Sequence, residues 1–326
     1  MPIVSIVVPC YNEQSTIRLL LDALYAQTYP RPELEVIIAD GLSTDRTREQ
    51  IAAFQVERPD LNVRVVDNRA RTIPAGLNCA IAAAQSRFIV RLDAHSAPDP
   101  DYVARCVADL LQGRGDVVGG VWEIRSRGQT WQARSIVVAA AHPLGVGDVR
   151  YRLGGHSQLV DTVPFGAFLR ALVERVGPFD ETLLTNEDYE FNTRVRQSGG
   201  AVWFDPEIRS TYFASPTLVS LARQYWRYGF WKVRMLRRHP ASLRWRQALP
   251  PIFVLSLLVL SVLAVWFPVA RTLLVTEGFV YILALLAVGV QSVIIKKDLA
   301  MVIGVPLAIA VMHVAWGSAF LWSWLR

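Results

Sequence analysis

Asp93-Ala94-His95 closes the apolar run Phe88-Ile89-Val90-Arg91-Leu92 and offers a carboxylate and an imidazole one residue apart. Side chains at i and i+2 of an extended chain share one face, so both groups leave the strand end pointing the same way. Hard divalent cations that bridge phosphates take one or two protein carboxylates and fill their remaining positions with phosphate oxygens and water. The imidazole can bind a transition metal directly or hold phosphate through its N–H. A second acidic group, Asn186-Glu187-Asp188-Tyr189-Glu190, reads as a helix start. Its carboxylates suit the helix dipole, and equally a general base that takes a proton from an attacking hydroxyl.

These groups need a frame, and the first 92 residues supply one. Residues 3–9 read as a buried strand ended by Pro9, and 35–39, 63–66 and 88–92 as three more. Helical spacing of apolar residues runs from Ser15, a plausible cap, to Gln27, from Asp45 to Phe54, and from Pro74 to Gln85. Strands alternating with helices predict an α/β, Rossmann-like fold, a mostly parallel sheet with helices on both faces. In such sheets ligands bind beyond the carboxyl ends of the strands. Cys10-Tyr11-Asn12-Glu13, the run from Asp40 to Asp45, and Asp93-Ala94-His95 each follow a strand, so three acidic clusters converge on one rim. Each could be a turn or cap, and Asp45 is read as one. No G-x-G-x-x-G follows the first strand and no G-K-[ST] occurs, which disfavours a dinucleotide fingerprint and a P-loop.

The chain has 326 residues, enough for one large domain and something more. From about Leu249 onward charge almost vanishes, and three stretches, about 249–270, 279–295 and 299–325, are read as long enough to cross a bilayer, which takes about 20 residues per helix, the middle one being a little short. The breaks fall at Arg271–Gly278 and at Lys296-Lys297-Asp298. Arg234, Arg237, Arg238, Arg244 and Arg246 precede the first stretch and Lys296 and Lys297 follow the second, so three crossings put both basic clusters on one side, expected to be cytoplasmic. The expected plan is a catalytic domain over 1–215, a basic aromatic segment over 216–248 that lies in the headgroup layer, and a transmembrane region over 249–326. No signal peptide is evident at the Met1 end. Three scattered cysteines suit a reducing compartment. The net charge of +6 is concentrated near the membrane, which points to anionic lipid as a partner and away from nucleic acid. Trp316, Trp322 and Trp324 read as an interfacial belt, and His142, His156 and His313 as structural histidines, His313 without an evident partner.

Taken in order, Pro9-Cys10-Tyr11-Asn12-Glu13, Asp40-Gly41-Leu42-Ser43-Thr44-Asp45, Asp93-Ala94-His95, Asn186-Glu187-Asp188 and Gln224-Tyr225-Trp226-Arg227-Tyr228 resemble the motifs of glycosyltransferase family 2. Within that family the chain is most similar to the membrane-anchored, succinoglycan-biosynthesis type of bacterial exopolysaccharide transferase. The resemblance implies a GT-A fold and an inverting transfer from a nucleotide sugar. It implies that Pro9, Tyr11, Glu13 and Asn78 edge the nucleotide pocket and that Asp40 binds the uracil or ribose part. Asp93 would anchor Mg²⁺ or Mn²⁺ against the diphosphate, Asp188 would be the base with Glu187 beside it, and Gln224, Arg227 and Tyr228 would form the element that closes over donor and acceptor. The chain departs from the family pattern at His95, where a second aspartate is usual, and at Tyr228, where tryptophan is usual. A ligating imidazole at 95 would favour Mn²⁺ over Mg²⁺. The resulting expectation is a transferase in the inner membrane, its catalytic domain cytoplasmic, moving a hexose from a UDP-sugar to a polyprenyl-diphosphate-linked saccharide. The rivals are transfer to polyprenyl phosphate itself and a non-catalytic scaffold that binds nucleotide sugar. The long stretch between Asp93 and Asp188 is read as room for an acceptor-sugar pocket.

Overall fold

The computed structural model describes residues Pro2–Arg326 and divides into two compact units that interleave along the chain. The first takes the residues up to Glu123 and Gly154–Tyr212; the second takes Ile124–Leu153 and Phe213–Arg326. The contiguous domain expected over 1–215 is therefore interrupted. The stretch 124–153, read as part of an acceptor pocket, belongs largely with the apolar C-terminal helices.

In the first unit, β1 (Val4–Cys10) and β2 (Leu34–Asp40) are buried at every residue, as strands covered on both faces must be. β3 (Asn62–Asp67) runs parallel to β2, and β4 (Phe88–Arg91) parallel to β1. The intervening helices are α1 (Ile17–Tyr25), α2 (Thr47–Glu57) and α3 (Ile73–Ala83). α1 starts two residues after the expected cap Ser15, and Thr16 caps nothing because its hydroxyl donates to the Glu13 carboxylate. α2 starts at Thr47, since Asp45 accepts the Thr47 N–H and hydroxyl in a turn of its own. Ile17, Leu20, Leu21 and Leu24 of α1 are fully buried, each contributing about 1.5–3 kcal/mol.

β5 (Ala97–Pro98), α4 (Tyr102–Leu111) and β6 (Val117–Ser126) follow, then α5 (Trp131–Ala140), α6 (Pro143–Val146) and α7 (Arg150–Leu153) of the second unit. The chain returns through β7 (Gln158–Leu159), β8 (Ala167–Leu169), α8 (Arg170–Val176), α9 (Glu187–Gln197) and β9 (Val202–Ala214). Sheet order is β3-β2-β1-β4-β8-β6-β9-β5, with β7 on β9. The expected parallel arrangement holds over the first four strands. β8 is antiparallel to both β4 and β6, and β5 and β7 are antiparallel to β9, so the sheet is mixed. Apolar runs announce strands but carry no information on their direction.

The second unit continues with α10 (Leu218–Leu236), opened by a capping box in which the Thr217 hydroxyl accepts the Ser220 N–H. α11 (Trp245–Leu263), α12 (Pro268–Lys296) and α13 (Met301–Trp324) are long and apolar enough to cross a membrane. The expected break at Arg271–Gly278 does not exist. α12 runs through it, because Arg271 donates to the Ala264 and Val265 carbonyls and Glu277 accepts the Ser256 hydroxyl at 2.5 Å. The turn falls at residues 264–267 instead. The turn expected at Lys296-Lys297-Asp298 is present, with Lys297 left-handed and Asp298 accepting the Ala300 N–H. His313 does have partners, the Tyr281 hydroxyl at 3.0 Å and the Leu144 carbonyl at 2.9 Å. Trp316 leaves the proposed belt: it is partly covered and its indole N–H donates to the Gln247 carbonyl.

Candidate active site

The site is built at the carboxyl ends of β1, β2 and β4, where three loops are stitched together. Asn12 holds the loop after β2: its backbone N–H donates to the Ser43 hydroxyl and its side-chain oxygen accepts the Thr44 N–H, both at 2.9 Å. The Glu13 N–H donates to the Thr47 hydroxyl at 2.8 Å. Asn12, Leu42, Arg71, Phe165 and Asn186 all adopt left-handed φ, a conformation that costs non-glycine residues energy and that clusters where a site demands it.

Arg91 is the centre of the arrangement, and reading the sequence missed it. It ends β4 with a side chain 3% exposed. One guanidinium nitrogen reaches Asp93 at 3.0 Å and Glu187 at 3.1 Å; the other reaches Asp188 at 2.9 Å. The Phe165 ring lies 5.1 Å from the same guanidinium, and the Phe165 N–H donates to the Asp188 carboxylate. The signal was available: a cation inside a short buried strand must be paired. Burial works against the Arg91 charge, but three carboxylates hold its proton more tightly than usual. Desolvation, with the Glu187 and Asp93 charges, pushes the Asp188 carboxyl up to about 7 against the pull of Arg91. A carboxylate poised near neutrality suits a general base.

Asp93 and His95 meet as expected, though in a turn past the strand end. Asp93 gives its carbonyl to the Ser96 N–H and hydroxyl, and His95 Nε2 stands 3.8 Å from Asp93 Oδ2. His95 Nδ1 bonds Glu13 Oε1 at 3.0 Å. An ionised carboxylate only accepts, so the Nδ1–H donates to Glu13, which leaves Nε2 on the side of Asp93. Glu13 is thus occupied by His95 and Thr16, and it orients the imidazole where the sequence placed it on the nucleotide. Among the described residues no three His, Cys, Asp or Glu side chains are arranged to hold a metal unaided. A carboxylate and an imidazole do fit a divalent cation that arrives with a diphosphate. Glu13→Gln is expected to weaken Mn²⁺ binding in the presence of UDP by about 10–100-fold, measured by electron paramagnetic resonance of free Mn²⁺.

Other expected contacts move. Asp40 is fully buried, its carboxylate held by Arg48 at 2.5 Å and by the Ser43 N–H and hydroxyl, so it fixes the loop after β2. Asn78 clamps the turn before α9: its amide donates to the Phe179 carbonyl and Glu181, and its oxygen accepts the Phe179 N–H. We expect Asn78→Ala to lower stability by about 1–3 kcal/mol, read by thermal unfolding, with the KM for donor unchanged. Pro9 is buried beside Gly76, and Tyr11 is 42% exposed at the rim. Gln224, Arg227 and Tyr228 lie on α10 of the second unit, where Gln224 accepts from Ser215 and donates to the Tyr228 hydroxyl, both at 2.9 Å.

A mixed α/β sheet with converging acids beyond its parallel strands is the layout of a GT-A glycosyltransferase. The chain belongs to glycosyltransferase family 2: residues 5–177 match that family's model, described as Glycosyl transferase family 2. It is 31% identical to the succinoglycan biosynthesis protein ExoA of Rhizobium meliloti, over 97% of this chain and 93% of that protein. It is 24% identical to a dolichyl N-acetyl-alpha-D-glucosaminyl phosphate 3-beta-D-2,3-diacetamido-2,3-dideoxy-beta-D-glucuronosyltransferase of Methanococcus voltae, over 96% and 94%. Among solved structures, mannosyltransferase PcManGT from Pyrobaculum calidifontis, in complex with GDP-Man and Mn²⁺, shares the fold with a TM-score of 0.63 at 21% identity, over 96% of this chain and 87% of that one.

Proposed function

We propose that this chain is an inverting, metal-dependent transferase that moves a hexose, glucose in our reading, from a UDP-sugar to a polyprenyl-diphosphate-linked saccharide in exopolysaccharide assembly. It works on the cytoplasmic face of the cell membrane. The observation that carries the reading is the convergence of Asp93, Glu187 and Asp188 on one buried guanidinium, which ties a cation-binding carboxylate and a base of raised pKa into one rigid group. The succinoglycan and dolichyl-linked-sugar names of two full-length relatives support a lipid-linked saccharide as acceptor. The neighbour holding GDP-Man with Mn²⁺ supports a divalent cation.

In this mechanism Asp93, with His95 oriented by Glu13, would hold a divalent cation, which would neutralise charge on the departing diphosphate when bound. Asp188 takes the proton of the acceptor hydroxyl. The acceptor oxygen forms its bond to the anomeric carbon as the bond to the diphosphate oxygen breaks and its electron pair leaves with the nucleotide. Attack from the opposite face inverts the anomeric centre, so one base suffices. Arg91 keeps Asp188 aimed and lets it ionise near neutral pH.

The test is turnover of a nucleotide-sugar panel by detergent-purified protein, with membrane lipid extract as acceptor and with Mn²⁺, Mg²⁺ or EDTA. One UDP-sugar turned over only with metal, and a product of inverted anomeric configuration by NMR, is the expected result. A retained configuration would remove the single-base mechanism. Binding of a nucleotide sugar without turnover would favour the scaffold.

A further inference from the structure

A membrane crossing sets the two ends of a helix on opposite sides of about 30 Å of hydrocarbon. α13 has 24 residues, about 36 Å at 1.5 Å per residue, so length permits a crossing. Its contacts do not. At its start, Arg134 of α5 pairs with Asp298 at 2.9 Å, and a Cβ on Gly304 would fall 2.0 Å from the Ser135 hydroxyl. Toward its end α10 covers it: a Cβ on Gly229 would meet the Trp316 carbonyl at 2.4 Å, and Val233 and Leu236 share a core with Phe320. Arg237 donates to the Ser323 carbonyl at 3.0 Å, and the Trp316 indole reaches Gln247 in the first turn of α11 at 3.1 Å.

Arg237 and Gln247 flank the loop that enters α11, so they mark the entry side of the membrane. α12 returns to that side at Lys296 and Lys297 after two crossings, and α13 begins there. Because α13 also ends beside Arg237, both of its ends lie on the entry side. A third crossing would carry Ser323 across together with α10 and its Arg223, Arg227 and Arg234, at about 2.5–3.5 kcal/mol or more for each arginine at the hydrocarbon centre.

Exposure separates the helices in the same way. Of the apolar stretch of α13, 44% is buried, against 11% in α11 and 22% in α12. Exposed Ile303, Leu307 and Val314 on roughly the first four turns of α13 fall at i, i+4 and i+11, which is one stripe, and Trp322 and Trp324 are exposed to either side of it at the helix end. α11 exposes a face about half the helix wide, through Leu249, Ile252, Leu255 and Leu258, and α12 exposes Val280, Ile282 and Leu283, spread around the helix. We propose that only α11 and α12 cross, and that α13 and α10 form a layer on the entry-side leaflet, with the α13 stripe toward lipid and the α10 arginines toward anionic headgroups. The chain end at Arg326 then lies on the side of the catalytic unit, which joins α10 through β9 without an intervening crossing.

The test uses full-length protein with Cys79→Ser, leaving only the buried Cys10 and Cys106, and one added cysteine: Trp266→Cys, Lys297→Cys or Arg326→Cys. A membrane-impermeant maleimide is applied to right-side-out and inverted vesicles. Arg326→Cys is expected to label in the same vesicles as Lys297→Cys and to be protected where Trp266→Cys labels. Labelling of Arg326→Cys with Trp266→Cys, or from both sides, overturns the proposal, as does Lys297→Cys labelling with Trp266→Cys. A green fluorescent protein fused after Arg326 gives a second reading that needs no substitution: fluorescence is expected, and its loss with the fusion present in the membrane overturns the assignment.

Discussion

Asp188→Asn is expected to lower kcat by about 10²–10⁴-fold, the range that a positioned base contributes, with little change in the KM for donor. The amide keeps the size of the carboxyl and can still accept the Phe165 N–H, but it removes one of the three charges around Arg91, so thermal unfolding of the variant must accompany the rate measurement. The pH profile gives an independent reading. The base must be ionised, and its folded pKa is about 7, so kcat should fall about tenfold per pH unit below that value. Stability runs the other way. The folded carboxyl binds its proton more tightly than an unfolded aspartate with a pKa near 3.9. Its contribution is therefore full below about pH 3.9 and is lost as pH rises through about 7. Stopped assays from pH 5 to 8, beside thermal unfolding over the same range, would separate the two. An acid limb that survives in the variant would assign the ionisation to another group.

Arg91→Met should be the most damaging single change to the fold of the site. It leaves Asp93, Glu187 and Asp188 without their shared countercharge. Removing one partner of such a buried group costs about 3–5 kcal/mol, and denaturant unfolding would read it. Activity should be lost with it, because Asp188 would hold its proton well into the alkaline range. Arg91→Lys is the informative companion. It keeps the charge but not the planar fork that reaches carboxylates from two nitrogens. We expect it to restore most of the stability, little of the activity, and an acid limb displaced to higher pH. Full activity in the lysine variant would show that charge alone is needed at this position.

Much of the first unit was legible because buried parallel strands are nearly continuous apolar runs, and Val4–Cys10 and Leu34–Asp40 are such runs. Asp93, Glu187 and Asp188 were legible as acids at a strand end and a helix start. Their common partner was not, since Arg91 reads as one residue of a strand until Glu187 is folded onto it from 96 positions away. Glu13, Asp40 and Asn78 show the converse. Each is the kind of residue that could touch a nucleotide, and each is engaged by His95, Arg48 or Phe179.

The C-terminal half divides along the same line. Apolar length identifies α11, α12 and α13, because burial of hydrocarbon against lipid needs only composition and about 20 residues. Where a helix ends depends on whether a polar side chain finds a partner, and Arg271 and Glu277 find theirs in α11 and the turn after it. The attachment of residues 124–153 to the membrane helices likewise rests on contacts such as Arg134–Asp298, 164 positions apart. Local pattern encodes element type and the face it buries. Pairing across long separations encodes partners, and only the folded chain brings those partners together.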